Sequence, residues 1–299
     1  MTAAPSPADR PLPFAADLLR GQTAIVTGAA GGIGREIAHL AARLGARVVL
    51  AGRTAARLDA LAGELAAFPV ATRAVDIRER EAVDALFAAH PCDLVIHAAG
   101  GQFPQPAIDF SVKGFRAVIA TNLEGTFHVM QAAARAWRDA GRGGSLVNVV
   151  VSPRGLHHVS HTVAARAGVK AFSEAVAIEW APLGIRVNCV APGAIETAGW
   201  AAYAPEVAAR YPSSNPLRRA GTAWDVATAC IFLAGPTGGF ITGETLEVSG
   251  GGHLWGETWT TAKPAWFRAA SRMLDPDLGT DLGTDLGTDL GTDLDQEAP

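Results

Sequence analysis

The stretch Thr27-Gly28-Ala29-Ala30-Gly31-Gly32-Ile33-Gly34 constrains this chain more than any other. Before it runs Thr23-Ala24-Ile25-Val26, short, apolar and β-prone; after it, Ile33, Ile37, Ala41 and Leu44 recur on one helical face. A strand that turns into a helix through glycines brings backbone N–H groups close to an anion, with the positive end of the helix dipole beneath. The second half of a dinucleotide signature is also present. A further strand, Val48-Val49-Leu50, follows directly, and Gly52-Arg53 closes it at the distance where the adenosine ribose is read.

From Thr23 onward, strand and helix patterns alternate. Strands are expected at 23–27, 47–51, 70–75, 93–97, 145–150, 185–190 and 244–248, with helices near 32–44, 55–67, 79–89, 111–138, 160–183 and 223–234. Most strands are unbroken apolar runs, as when both sheet faces are covered. The expected fold class is therefore α/β, a single doubly wound Rossmann domain with a seven-stranded parallel sheet flanked by helices. Residues 1–18 read as a flexible arm, 19–259 as the dinucleotide-binding and catalytic domain, and 260–299 as a disordered tail carrying DLGT four times over. The irregular segment 194–216, with Trp200, Tyr203 and Tyr211, reads as a substrate lid.

Composition narrows the partners. A net charge of −4 with no basic stripe argues against nucleic acid. No apolar run is long enough to span a bilayer. Cys92, Cys189 and Cys230 are too far apart in sequence to suggest a metal pair and read as buried thiols in a reducing compartment, so a cytoplasmic setting is expected and no metal. The long helices 111–138 and 160–183 carry few charges, which suggests a homo-oligomer, a dimer or tetramer.

A carboxylate at the end of the second strand would hold the 2′-hydroxyl of NAD and repel a 2′-phosphate. Here that position is Gly52, followed by Arg53, and Arg35 sits just past the glycines; two guanidinium forks suit a phosphate, so NADP(H) is the expected cofactor. Asp76, ending the third strand, is placed for the adenine edge.

TGAAGGIG (27–34), Asp76-Ile77, Asn122 in TNLEGTF, and GIRVNCVAPGAIET (184–197) together resemble the short-chain dehydrogenase/reductase family over about residues 19–257. That resemblance implies that Asn122 orders the active site, that Ala99 and Gly100 line the cofactor, and that Pro192, Gly193, Ile195 and Thr197 hold its nicotinamide and pyrophosphate. Two departures stand out. The family's Asn-Asn-Ala-Gly reads His97-Ala98-Ala99-Gly100, and its Tyr-x-x-x-Lys reads Thr162 to Arg166, with Val150 or Val151 in the serine position and Ser152 beside it. A threonine hydroxyl is far too weak an acid to replace a phenol, and arginine stays charged. The chain is also similar to the branch with peroxisomal trans-2-enoyl-CoA reductase and bacterial citronellol/citronellal dehydrogenases; Lys170 stands where the reductase has its proposed acid.

Reducing a conjugated C=C bond requires mainly hydrogen-bond donors at the thioester oxygen. Arg166 is one candidate. His157, His158 and His161 lie between the fifth strand and the next helix, and His161, adjoining the position usually catalytic, is the leading proton donor. Catalytic candidates are thus Asn122, His161, Arg166 and Lys170. The expected function is NADP(H)-dependent reduction of an α,β-unsaturated acyl-CoA. The alternatives are oxidation of a hydrophobic prenyl alcohol such as citronellol, and a cofactor-binding protein without catalysis.

Overall fold

The computed structural model describes residues 6–152, 158–197 and 214–254. Its order is β1 (Thr23–Thr27), α1 (Gly32–Arg43), β2 (Arg47–Gly52), α2 (Ala55–Glu64), β3 (Val70–Ala74), α3 (Arg80–Ala89), β4 (Leu94–His97) and α4 (Val112–Ile119). After a π-helical turn at Ala120–Glu124 come α5 (Gly125–Asp139), β5 (Gly144–Val149), α6 (Ser160–Trp180), β6 (Ile185–Pro192), β7 (Ile195–Glu196), β8 (Gly221–Thr222), α7 (Ala223–Ala234) and β9 (Thr245–Val248). Seven strands form one sheet in the order β3-β2-β1-β4-β5-β6-β9, every pairing parallel. The order reverses between β1 and β4, and ligands of such sheets bind at the strand ends beside that reversal.

The two-residue period of the strands divides the core. Ala24, Val26, Val48 and Leu50 pack with Ile37 and Leu40 of α1, Leu58 of α2 and Ile231 of α7. Ile25, Val49 and Ala51 point the other way, toward Leu86 of α3, Met130 and Trp137 of α5 and Val176 of α6. Both faces are covered, which is why the strands read as continuous apolar runs. The three cysteines are buried and unpaired, and burial pushes the Cys92 thiol up to about 12. No described helix is long and apolar enough to cross a membrane.

Three expectations change. The helix expected over 111–138 is two helices joined by the π-helical turn, because Asn122 is turned out of the helical repeat toward Gly101; such turns gather at functional sites. From Ser6 on, the arm expected to be flexible lies against the domain: Arg43 donates to the carbonyls of Pro7 (2.6 Å) and Arg10 (2.7 Å), while Leu12, Phe14 and Leu18 pack on the core. The small parallel pair β7–β8 was not foreseen at all. The DLGT tail and most of the lid segment, residues 198–213, fall outside the described residues.

Candidate active site

The glycine turn is built for close approach. Gly28 has φ 70°, and a Cβ there would lie 2.7 Å from the Ala99 nitrogen. A Cβ on Gly34 would meet the Gly28 oxygen at 2.2 Å, and one on Gly32 would meet Thr197 at 2.9 Å. These contacts bring the end of β1, the first turn of α1, the strand-end loop after β4 and Thr197 together. Thr27, Gly28, Gly31, Arg53, Asp76, Ile77, Ala99 and Gly100, all expected at the cofactor, line one cleft of about 210 Å³. Ile33 completes the first turn of α1 behind it.

Of the two arginines expected at the ribose, Arg53 lines the cleft. Arg35 does not line the cleft; it is bound to Glu64 at the end of α2, which His39 also contacts at 3.0 Å. Helical phase turns it outward, and a carboxylate from another helix takes its charge. Arg57 lines the cleft instead, with Arg53 and Thr54, and donates to the Ala30 carbonyl of the glycine turn at 2.8 Å. Position 57 escaped the sequence reading, although an arginine in the first turn of the helix after β2 was a usable signal. The Asp76 carboxylate is held in a fork by Arg78, and that hydrogen bonding keeps it below its ordinary range.

Beyond the turn, Asn122 clamps the loop after β4 with both ends of its amide. Its Oδ1 accepts from the Gly101 N–H at 3.0 Å and its Nδ2 donates to the Gly101 carbonyl at 2.9 Å. Arg166, buried on α6, donates from Nη2 to the Ala99 carbonyl at 3.0 Å. Gly100 leaves room for that guanidinium, since a Cβ there would displace Nη2. The other guanidinium nitrogen, Nη1, is buried with no partner among the described residues. Burial pulls the Arg166 pKa down to about 10, so the group is still a cation at neutral pH.

His97 is fully buried between Thr27 (Nδ1 to Oγ1, 2.7 Å) and Thr126 (Nε2 to Oγ1, 3.0 Å). Burial, aided by the Arg166 charge, pulls it from 6.5 down to about 3. The unfolded chain therefore binds a proton near pH 6.5 that the native state refuses until about 3, so this contribution is complete above 6.5 and lost as pH falls through that window. Unfolding free energy measured from pH 7 to 4.5 is expected to fall, with up to about 1.4 kcal/mol per pH unit coming from this one group. In His97→Gln that part of the slope disappears.

His161, the leading proton-donor candidate, is fully buried, stacked on Phe110 (4.5 Å, 10°) and edge-on to Phe103 (4.5 Å). Its Nδ1 accepts the Thr162 N–H at 2.7 Å, so in the neutral ring the proton sits on Nε2. That Nε2 and the buried Ser152 Oγ have no partners among the described residues. His158 is exposed and His157 lies outside the described residues.

A family model described as enoyl-(acyl carrier protein) reductase matches residues 28–253. The chain belongs to the short-chain dehydrogenase/reductase family. Galactitol 2-dehydrogenase (L-tagatose-forming) of Cereibacter sphaeroides is 34% identical over 79% of this chain and 97% of its own. A peroxisomal 2,4-dienoyl-CoA reductase of Arabidopsis thaliana is 34% identical over 81% of this chain and 87% of its own. Among solved structures, citronellol catabolism dehydrogenase of Pseudomonas aeruginosa PAO1 superposes with a TM-score of 0.71 at 39% identity, covering 81% of this chain and 98% of that one.

Within this short-chain dehydrogenase/reductase, Pro192 ends β6 and Gly193 follows, its backbone packed on Ser249 so closely that a Cβ would approach it to 2.8 Å. The Ile195 side chain is buried in the core on the α1 and α7 side. Thr162 and Arg166, expected in place of the family's tyrosine and lysine, are both buried. Lys170 is not brought into this cluster; it is solvent-exposed further along α6.

Proposed function

We propose that this oxidoreductase uses NADP(H) to reduce an activated, conjugated C=C bond of an acyl thioester. What supports the reading is that Ser152 Oγ, His161 Nε2 and Arg166 Nη1 are buried without partners among the described residues, in a family member where Thr162 and Arg166 are expected in place of the phenol and the ammonium. The glycine turn would hold the pyrophosphate against the N-terminus of α1. Arg53, Thr54 and Arg57 would take the 2′-phosphate, two guanidinium groups and a hydroxyl where NAD-specific sites place a carboxylate. On this assignment Arg57→Ala raises the dissociation constant for NADPH about tenfold and leaves that for NADH unchanged, as read by nucleotide fluorescence.

Bound NADPH supplies the hydride. Arg166 keeps a fixed positive charge beside the loop after β4, and its spare N–H is a donor for an oxygen on which charge collects. His161 offers a second donor from an aromatic box that excludes water. Because its Nδ1 is committed to the Thr162 N–H, neutral His161 presents hydrogen rather than a lone pair. That polarity suits stabilising an enolate oxygen and does not suit taking a proton from an alcohol.

The likeness to the citronellol dehydrogenase keeps prenyl-alcohol oxidation as the second reading. One assay separates them: NADPH consumption with crotonyl-CoA and a 2,4-dienoyl-CoA, set against NADP+ reduction with citronellol. Oxidation of citronellol without enoyl turnover defeats the first reading, and tight NADPH binding with no turnover on either side favours a catalytically silent binder. We also assign this chain to a reducing, cytoplasmic setting, and infer that exposed Phe127, Ile178 and Leu183 beside α5 and α6 meet a second copy.

A further inference from the structure

Four groups behind the cleft form one hydrogen-bonded line whose direction can be worked out. Thr126 Oγ1 lies 2.8 Å from the Asn122 carbonyl, which can only accept, so the single threonine proton points there. Toward His97 the same oxygen must then accept, which places the imidazole proton on Nε2. Nδ1 is left as an acceptor, and the Thr27 hydroxyl, 2.7 Å away, donates to it. The line runs Thr27 to His97 to Thr126 to the Asn122 carbonyl. Asn122 in turn grips Gly101 through both ends of its amide, and the Ala98 N–H returns to the Thr27 carbonyl at 3.1 Å. The circuit encloses the loop 98–100, which lines the cleft beside Gly28.

We propose that His97 is a positioning residue for the dinucleotide, tying the first residue of the phosphate turn to the π-helical turn that carries Asn122. The inference rests on the reading that this cleft takes a nicotinamide nucleotide, and it adds a residue that touches neither nucleotide nor substrate. The imidazole does two separable things. Through Nδ1 it fixes the Thr27 side chain, and with it the peptide entering Gly28, where φ is already 70°. Through Nε2 it fixes Thr126 and so the π-helical turn. No charge enters the interior in either case, because Arg166 is near and a second cation there would be repelled. An asparagine amide reaches as far as Nδ1 of a histidine and a glutamine amide as far as Nε2, so each substitution keeps one link and breaks the other.

The test uses the full chain with His97→Gln and His97→Asn. NADPH dissociation constants are read by fluorescence titration, melting temperatures without nucleotide, and amide exchange through residues 119–127. His97→Gln, which releases Thr27, is expected to weaken NADPH binding about tenfold. His97→Asn, which keeps Thr27, is expected to bind within about twofold of wild type but to exchange faster through the π-helical turn. A purely structural histidine would lower both melting temperatures and move both dissociation constants alike; that result, or no shift in either, overturns the proposal. A wild-type chain that bound neither NADPH nor NADH would overturn the reading of the cleft itself, and this inference with it.

Discussion

Replacing Gly28 by alanine is expected to weaken NADPH binding by at least about 100-fold, roughly 3 kcal/mol. Two costs combine. Left-handed backbone at φ 70° costs a residue with a Cβ about 1–2 kcal/mol. That Cβ would also sit 2.7 Å from the Ala99 nitrogen and 2.8 Å from the Ala98 carbonyl carbon, contacts with backbone that no rotamer relieves. Relief requires the turn to lift from the end of β4, which moves the N–H groups the phosphate needs. Fluorescence titration reads the affinity, and circular dichroism checks that the sheet survives. An affinity within threefold of wild type would mean that the turn is not the phosphate cradle.

Substituting Arg166 by methionine is expected to lower kcat about 100- to 1,000-fold, the usual loss when one donor to a developing oxyanion is removed. Methionine fills much of the volume and removes the charge, the bond to the Ala99 carbonyl and the spare Nη1 donor together. The structural cost is smaller, about 1–2 kcal/mol for an unmet carbonyl, so the protein is expected to fold. Arg166→Lys separates the effects: it restores charge without the planar fork and is expected to recover part of the rate. Steady-state kinetics with whichever substrate wild type turns over measures both variants. A kcat within threefold of wild type in Arg166→Met would remove the guanidinium from the chemistry.

The sheet was legible because its signals are local. Apolar runs marked most of the seven strands, and the helix expected over 223–234 is α7, Ala223–Ala234, begun by a Thr222–Asp225 capping box. What escaped depends on contacts between distant residues. The break at Ala120–Glu124 arises from Asn122 reaching 21 positions back to Gly101, which no periodicity within TNLEGTF reveals. The pairing of Arg35 was not legible because its partner, Glu64, lies 29 residues on in another helix. Lys170 was carried over from a family position by sequence register alone, and register does not show that its side chain lies exposed on α6. His97 looked like a mere departure from a motif until Thr27 and Thr126 were seen on either side of it.

The short pair of β7 and β8 has an evolutionary side. Ile195 lies opposite Gly221 and Glu196 opposite Thr222, so the two ends of the connection between β7 and β8 are fastened side by side. Lengthening what passes between such posts changes closure entropy only logarithmically. Descendants of this chain are therefore free to change the length of that intervening piece at small cost, while the register of the seven-stranded sheet is inherited unaltered.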